Sequence, residues 1–229
     1  MLLPELKSKS KPNQTRSLNQ MIKKIWDISP AISAKSPVFP GDTPYSQEWT
    51  WQLSEQCPVN VSSLRMSPHI GAHADAPLHY ESGGLSAGEM SLLPFIGTCR
   101  VIHAINCGQL IKPQHIEHAL FKVPPRILVR TSNNAPPTAW QTEFTAFAPE
   151  TIDLLHAHGV RLIGIDTPSI DPASSKTLCS HQRILSYDIR VLENLDLSRV
   201  EADDYELIAL PLKLIEADAS PVRAILRAL

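Results

Sequence analysis

The segment from Ser67 to Tyr80 restricts the fold of this chain more than any other part of its sequence. It reads SPHIGAHADAPLHY, and Pro68, Gly71 and Pro77 fall within it. A helix here would be costly, because proline lacks the amide donor and glycine loses more backbone entropy on folding than other residues. We therefore predict an extended segment, in which alternate side chains share one face.

With a period of two residues, one face of this segment is polar and the other is mainly apolar. The polar face holds His69, His73, Asp75 and His79, together with Gly71 and Pro77. The other face holds Ile70, Ala72, Ala74, Ala76, Leu78 and Tyr80. Pro77 is expected to end the strand and to turn His79 out of the ladder, so that His79 is held less firmly than the other polar residues.

Two imidazoles and a carboxylate that converge from one face are a typical ligand set for a divalent cation. His69, His73 and Asp75 form such a set, which suits zinc, with manganese as an alternative. Hydrogen-bonded polar side chains in a cleft would explain the same residues. We favour the metal site, because three histidines and an aspartate on one face would leave many buried polar groups to pair.

The rest of the chain predicts a mixed α/β fold. Short β-branched or apolar runs indicate strands at Trp49–Leu53, Asn60–Met66, Cys99–Ile105, Arg126–Thr131, Val160–Asp166, Ile189–Leu192 and Glu206–Leu214. Helices are predicted at Pro113–Leu120, at Pro149–His158 with Gly159 as its C-terminal cap, and from Ser180 as N-cap through Tyr187. Strands outnumber helices and the helices interrupt them irregularly, so we expect a mixed sheet over a regular doubly wound one.

Length and composition narrow the class of protein further. The 229 residues fit one domain, and a net charge of −2 offers no basic face for nucleic acid. Residues 1–20 are polar and basic, so we expect a disordered extension followed by a single domain over 21–229. We find no apolar run of membrane-spanning length and no secretory signal, and expect a cytoplasmic protein without a membrane partner. The four cysteines lack CxxC spacing, which indicates reduced thiols.

The sequence resembles a known family, the bacterial kynurenine formamidases of the cyclase-like metal hydrolase superfamily. The resemblance is carried by WDISP at 26–30, PGDTP at 40–44, GAHADAPLH at 71–79, GIDTPS at 164–169, SHQ at 180–182, ELIALPLK at 206–213 and ADASPVR at 217–223. Only residues 1–20 fall outside it. The central motif is specific for the superfamily, and the combination of segments points to the formamidases.

This resemblance implies a fold and a set of site residues. The fold is a mixed sheet with a barrel-like core and flanking helices, of the swivelling β/β/α type. The implied ligands of two zinc ions are His69, His73 and Asp75 at one ion and His181 and Glu193 at the other, with Asp75 and Glu193 shared. The residue matching His79 acts as general acid and base. From the residues alone, His181 and Glu193 would be interpreted as structural, because such residues commonly cap helices or face solvent.

One position departs from the family pattern. The family usually carries Trp where this chain has Phe39, directly ahead of the PGDTP segment, and that aromatic is expected to line the substrate pocket. Phenylalanine keeps the flat apolar face but loses the indole N–H donor. Phe39 is therefore predicted to contact the substrate, and packing in the core stays open as an alternative.

Other polar residues are weaker candidates. The segment 166–169, at the end of a predicted strand, is expected to support the metal site or to form a wall of the pocket. The remaining histidines have no carboxylate nearby at ligand spacing and are expected to be structural: His103, His115, His118, His156 and His158.

The function that the resemblance implies is hydrolysis of N-formyl-L-kynurenine to L-kynurenine and formate in tryptophan catabolism, by a homodimer. Two alternatives remain open at this point. One is a related hydrolase that opens a cyclic amide such as isatin, because the same metal apparatus serves any activated carbonyl. The other is a non-catalytic metal-binding or metabolite-binding module.

Overall fold

A computed structural model describes residues 23–229 of the chain. The strands in this part are β1 (Ile25–Asp27), β2 (Ser46–Trp51), β3 (Val61–Arg65), β4 (His73–Asp75), β5 (Ile96–His103), β6 (Leu110–Ile111), β7 (Arg126–Arg130), β8 (Ala146–Phe147), β9 (Leu162–Ile165), β10 (Arg190–Glu193), β11 (Asp204–Ile208), β12 (Ala219–Pro221) and β13 (Ile225–Ala228). The predicted disordered extension, residues 1–20, lies outside the described residues. The single domain over 21–229 stays a prediction.

The main element is a mixed sheet of nine strands, counted over residues 23–229, in the order β1-β13-β11-β5-β7-β9-β10-β4-β12. It curls into a half-barrel. Strands β5, β7, β9 and β10 run parallel at its centre, and antiparallel pairs flank them on both sides. Two small sheets pair β2 with β3 and β6 with β8. The predicted mixed α/β class is confirmed.

The helices in the described part of the chain are α1 (Pro113–Ile116), α2 (Pro149–Ala157) and α3 (Cys179–Ser186), with 3₁₀ turns at Pro77–His79, Leu93–Phe95 and Glu117–Ala119. The first two predicted helices are confirmed, although the first continues as a 3₁₀ turn after Ile116. The left-handed φ of +79° at Gly159 closes α2 as predicted, because glycine adopts this conformation without strain. Over residues 23–229 we find no helix with the length and apolar composition of a membrane span.

The predicted N-cap of the third helix is wrong. The helix α3 begins at Cys179, and Ser180 lies inside its first turn. The carboxylate of Asp171 accepts hydrogen bonds from the backbone N–H of Ser180 at 3.0 Å and of His181 at 2.9 Å. The first N–H groups of a helix have no partner within the helix, so Asp171 caps α3 from the preceding loop.

The extended conformation predicted for residues 67–80 is confirmed only at β4. Gly71 has a left-handed φ of +63°, and the N–H of Ile70 donates to the carbonyl of Ser67 at 3.3 Å, so this part of the segment turns. Beyond β4, a 3₁₀ turn begins at Pro77, which agrees with the predicted end of the strand. The prediction that alternate side chains share one face over the whole segment is therefore wrong.

The other strand predictions overlap observed strands, with shifted ends. The prediction for 206–214 extends too far, since β11 ends at Ile208. Pro211 has no N–H to donate to a sheet ladder, and the chain leaves the sheet before it reaches this residue. The strand predicted at 49–53 is observed as β2, which begins three residues earlier and ends two residues earlier.

The two faces of the large sheet pack against separate hydrophobic cores. Along β7, Ile127 and Val129 enter one core, whereas Leu128 enters the other. Ile152 of α2 and Ile184 of α3 pack with Ile127, so the helices cover that face. Truncation of one such buried side chain to alanine typically costs about 2–5 kcal/mol. The helix-covered core therefore fixes α3, which carries His181, against the sheet.

Candidate metal centre

Strands β4 and β10 bring three polar side chains to one face of the sheet. They pair antiparallel with His73 opposite Glu193 and Asp75 opposite Val191. Side chains that lie opposite each other in such a pair approach to about 5 Å between Cβ atoms. Ala74, between the two polar residues of β4, packs in the hydrophobic core. The alternation predicted for the motif is thus correct over these three residues.

His181 joins the three strand residues from the first turn of α3. Its Nε2 lies 3.4 Å from Asp75 Oδ2 and 3.6 Å from Glu193 Oε1. The Nε2 of His73 lies 3.3 Å from both Asp75 Oδ1 and Glu193 Oε2. These four residues are only 1–3% exposed, and we call them the floor of the site.

His69 lies above the floor, at the start of the turn before β4. Its Nδ1 is 3.0 Å from Asp75 Oδ1. Two groups of possible metal donors therefore share Asp75: His69, His73 and Asp75, and Asp75, His181 and Glu193. Within each group the donor atoms lie within 4.8 Å of one another.

Hydrogen bonds behind the floor orient the two buried imidazoles. The Nδ1 of His73 donates to the carbonyl of Gly71 at 3.0 Å, since a carbonyl oxygen only accepts. The Nδ1 of His181 lies 2.7 Å from the carboxylate of Asp171, which is itself buried. Because Nδ1 is used in both rings, Nε2 faces the cluster in both, as is usual for histidines that bind a metal.

The residues of the floor fit a divalent cation. His73 Nε2 and Asp75 Oδ1 are both buried, and within residues 23–229 neither forms a well-aligned hydrogen bond, although each has a polar atom within 3.3 Å. Buried polar atoms without a partner are costly, and a cation between them would satisfy both. Imidazole nitrogens and carboxylate oxygens are ligands that zinc and similar ions accept.

The electrostatics of the floor also indicate a shortage of positive charge. Burial alone would lower the pKa of His73, but the carboxylates of Asp75 and Glu193 outweigh it and raise this pKa to about 10. Burial likewise opposes the charged form of His181, yet Asp171 and Asp75 raise its pKa to about 10. The carboxylates thus attract protons to the imidazoles, and a metal ion would supply the same positive charge.

A cavity of about 380 Å³ opens above the cluster. One side is lined by His69, His79 and three residues of the floor, His73, His181 and Glu193. Another side is lined by Phe39, Trp140 and Phe144. The Phe39 and Trp140 rings meet edge to face, with centroids 5.2 Å apart. Phe39 is 53% exposed, so packing in the core is ruled out for this residue. The cavity therefore combines polar groups with a flat apolar wall.

The structure thus brings the predicted site residues together: all of them line the cavity except Asp75, which contacts His69, His73 and His181. Their roles stay predictions. His79 lies at the mouth, in the 3₁₀ turn after β4. Of the segment 166–169, Pro168 and Ser169 line the cavity. Asp166 does not, because its carboxylate accepts hydrogen bonds from Thr131 and Ser132 at the end of β7.

Three residues beside this cavity were not predicted from the sequence. Asp171 and Asp218 contact the histidines of the cluster, and Trp140 packs against Phe39. Asp218 falls within the quoted segment 217–223, so the resemblance was a signal for it. Asp171 and Trp140 lie on loops without periodicity, and we find no sequence signal that would have identified them.

Comparison with known proteins agrees with this fold and site. A family model described as a putative cyclase matches residues 26–172. A predicted metal-dependent hydrolase from Bacillus stearothermophilus shares 26% identity and superposes with a TM-score of 0.76, over 89% of this chain and 98% of that one. The chain therefore belongs to the cyclase family of metal-dependent hydrolases.

One relative in sequence and one neighbour in fold have more specific names. The kynurenine formamidase of Bordetella avium is 65% identical over 208 residues, which cover 91% of this chain and all of the relative. Isatin hydrolase A from Labrenzia aggregata superposes with a TM-score of 0.78 over 93% of this chain and 99% of that one, at 22% identity. The second similarity concerns the fold alone.

Proposed function

We propose that this chain is a kynurenine formamidase, which hydrolyses N-formyl-L-kynurenine to L-kynurenine and formate. The observation that carries the proposal is the 65% identity to a protein of that name over the whole length of the relative. The cluster of three histidines, an aspartate and a glutamate at the base of the cavity is consistent with it.

We propose two divalent ions at this cluster, with zinc favoured over manganese. His69, His73 and Asp75 would hold one ion, and Asp75, His181 and Glu193 the other. The resemblance implies that Glu193 is shared as well, and the 3.3 Å between its Oε2 and His73 Nε2 supports this. When bound, such ions lower the pKa of water to about 7 and polarise a carbonyl oxygen.

The side chains around the cluster have separate tasks in this proposal. His79, at the mouth of the cavity, takes a proton from the attacking water and delivers it to the departing arylamine. An arylamine is a poor leaving group as an anion, so the amide bond breaks only when the nitrogen is protonated. Phe39 and Trp140 present flat apolar faces against which the aromatic ring of a formyl anilide can pack.

The alternative substrate is a cyclic amide such as isatin. It is favoured only by the likeness of fold to isatin hydrolase, and that likeness does not identify a substrate. We therefore rank it second. The homodimer that the resemblance implies and the cytoplasmic location expected from the sequence stay predictions.

The proposal is tested by assaying the purified protein with N-formyl-L-kynurenine and with isatin, alongside elemental analysis. We expect formylkynurenine to be the better substrate by kcat/KM, with two equivalents of metal per chain. Faster turnover of isatin would favour the cyclic-amide alternative. Bound metal with no hydrolysis of either amide would indicate a binding module.

A further inference from the structure

One carboxylate, that of Asp218, contacts two histidines to which we assign different tasks. Its Oδ2 lies 3.0 Å from His69 Nε2 and 3.3 Å from His79 Nδ1. The two rings are adjacent, with centroids 4.3 Å apart. The same oxygen thus connects a proposed metal ligand with the proposed proton-transfer group.

The backbone holds Asp218 in this position. Its carbonyl accepts a hydrogen bond from the N–H of Ala76 at 2.9 Å, just after β4. The next residue, Ala219, begins β12 and pairs with Asp75 on β4. Asp218 is therefore tied to the strand that carries the metal-binding motif, although its side chain is 44% exposed.

The chemistry of a carboxylate fixes which nitrogen of each ring carries the proton. An ionised carboxylate only accepts hydrogen bonds, so the nitrogen that faces it must be N–H. In neutral His69 this leaves Nδ1 unprotonated and directed at Asp75, where a metal would be bound. In neutral His79 it leaves Nε2 unprotonated, and this is the atom that can accept a proton from water.

We propose that Asp218 is a positioning residue for proton transfer: it holds His79 in the Nδ1–H tautomer and couples it to the metal ligand His69. The part that concerns catalysis rests on the proposed function. Histidines that act as a general base commonly depend on a third group for their orientation. Here the third group is Asp218, which also supports the metal ligand His69. Loss of the Asp218 charge therefore affects both His79 and His69.

The first test is a double-mutant cycle between Asp218 and His79 on the zinc-loaded enzyme. We expect Asp218→Asn to lower kcat by roughly 10–100-fold, the usual cost of removing a supporting carboxylate, with KM within about 2-fold of wild type. In a His79→Ala background the same change should lower kcat by a clearly smaller factor than in wild type, because residues that act together are not additive and only the contact of Asp218 with His69 remains. Asp203→Asn, at an exposed carboxylate beside β11, is the matched control and should leave kcat unchanged.

Two results of this cycle would overturn the proposal. One is an equal loss of kcat in the presence and absence of His79, which would show that Asp218 does not act through it. The other is loss of a full equivalent of zinc from Asp218→Asn, which would make Asp218 a ligand instead, a role its closeness to His69 and His79 allows.

The second test does not depend on any substrate. In the zinc-loaded protein labelled with ¹⁵N-histidine, nitrogen chemical shifts report which ring nitrogen of His79 is protonated, and His79→Ala identifies its signals. We expect Nδ1–H in wild type and a mixture of tautomers in Asp218→Ala. The same tautomer in both would overturn the proposal, whereas failure to hydrolyse formylkynurenine would overturn only the proposed function.

Discussion

The floor and the mouth of the cavity differ in how the fold holds them. The floor consists of His73, Asp75, His181 and Glu193, which are almost fully buried. The mouth consists of Phe39, His79 and Trp140, which line the cavity, and of Asp218, which contacts His79; all four lie on loops or in a 3₁₀ turn. Strand register and a capped helix position the floor, whereas loop contacts position the mouth.

Under the proposed function, this difference separates residues that bind the metal from residues that contact the substrate. Buried imidazoles and carboxylates at 3.3–3.6 Å from one another need a cation to satisfy them, so changes in the floor should affect metal content first. Side chains at the mouth are accessible and can meet a substrate. Changes there should leave the metal in place and alter kcat or KM.

The largest effect is expected from the floor itself. Asp75→Asn and Glu193→Gln should each remove at least one metal ion, because a neutral amide of the same shape no longer offsets the charge of two close cations. The loss of kcat should exceed the roughly 10²–10⁴-fold contribution of a general acid or base. Elemental analysis of the purified variants, with Asp203→Asn as control, measures the metal. Two full equivalents in either variant would contradict sharing of that carboxylate.

The next largest effect is expected from His79, at the mouth of the cavity. His79→Ala should keep its metal and fold yet lose roughly 10²–10⁴-fold in kcat, which is about 3–5 kcal/mol of transition-state stabilisation. The loss should shrink for an anilide with a less basic leaving amine, because an easier departure needs less protonation. Metal content and kcat with two anilides of different leaving-group pKa test this. If His79→Ala loses metal, His79 is a ligand and belongs with the floor.

A smaller effect is expected behind the floor, at Asp171. Asp171→Asn should weaken zinc binding by roughly 10–100-fold, because His181 loses the carboxylate that orients it. Asparagine has only one acceptor oxygen, so one of the two backbone N–H groups that Asp171 caps loses its partner, and the free energy of unfolding of the metal-free chain should fall by about 1–3 kcal/mol. Competition with a chelating dye measures the zinc affinity, and denaturant unfolding measures the stability. Unchanged affinity would show that the helix cap is the only task of Asp171.

The aromatic wall should respond more weakly still. Phe39→Ala should raise KM by about 2- to 12-fold, the effect of losing about 0.5–1.5 kcal/mol of aromatic contact. Phe39→Trp should be tolerated, since it keeps the flat face. Steady-state kinetics with formylkynurenine, at unchanged metal content, measures both. Equal KM for wild type and Phe39→Ala would remove Phe39 from substrate binding.

The smallest effect is expected from a change outside both regions. A chain that starts at Met21 should keep its kcat and its thermal stability, because residues 1–20 show no apolar packing pattern in the sequence. Thermal unfolding and the formylkynurenine assay compare the two chains. A large fall in either quantity would assign these residues a role in the fold or the site.

Only some residues of the floor could be predicted from the sequence pattern alone. The alternation at His73 and Asp75 is local, so it was readable from the residues. His181 and Glu193 reach the same place through pairing of β10 with β4 and the cap on α3, which are contacts between distant parts of the chain. Only the resemblance to a family indicated them.

The wrong predictions and the residues that were not predicted also depend on contacts between distant parts of the chain. The extended face predicted for 67–80 fails where Gly71 takes a left-handed φ, a conformation that a period-two pattern does not reveal. Asp171 and Trp140 act from loops, where position depends on tertiary contacts instead of periodicity. Local patterns predict the mixed fold class and the types of the elements. They do not predict which loop residues lie at the cavity.

Under the proposed function, hydrolysis depends on metal that the buried cluster holds. The most direct measurement is to strip wild-type protein with a chelator, add zinc back in steps, and follow bound zinc and formylkynurenine hydrolysis together. We predict no turnover in the stripped protein, and activity that returns with zinc and saturates at two equivalents per chain. Full turnover by protein that contains no metal would show that hydrolysis does not depend on a metal in this cluster.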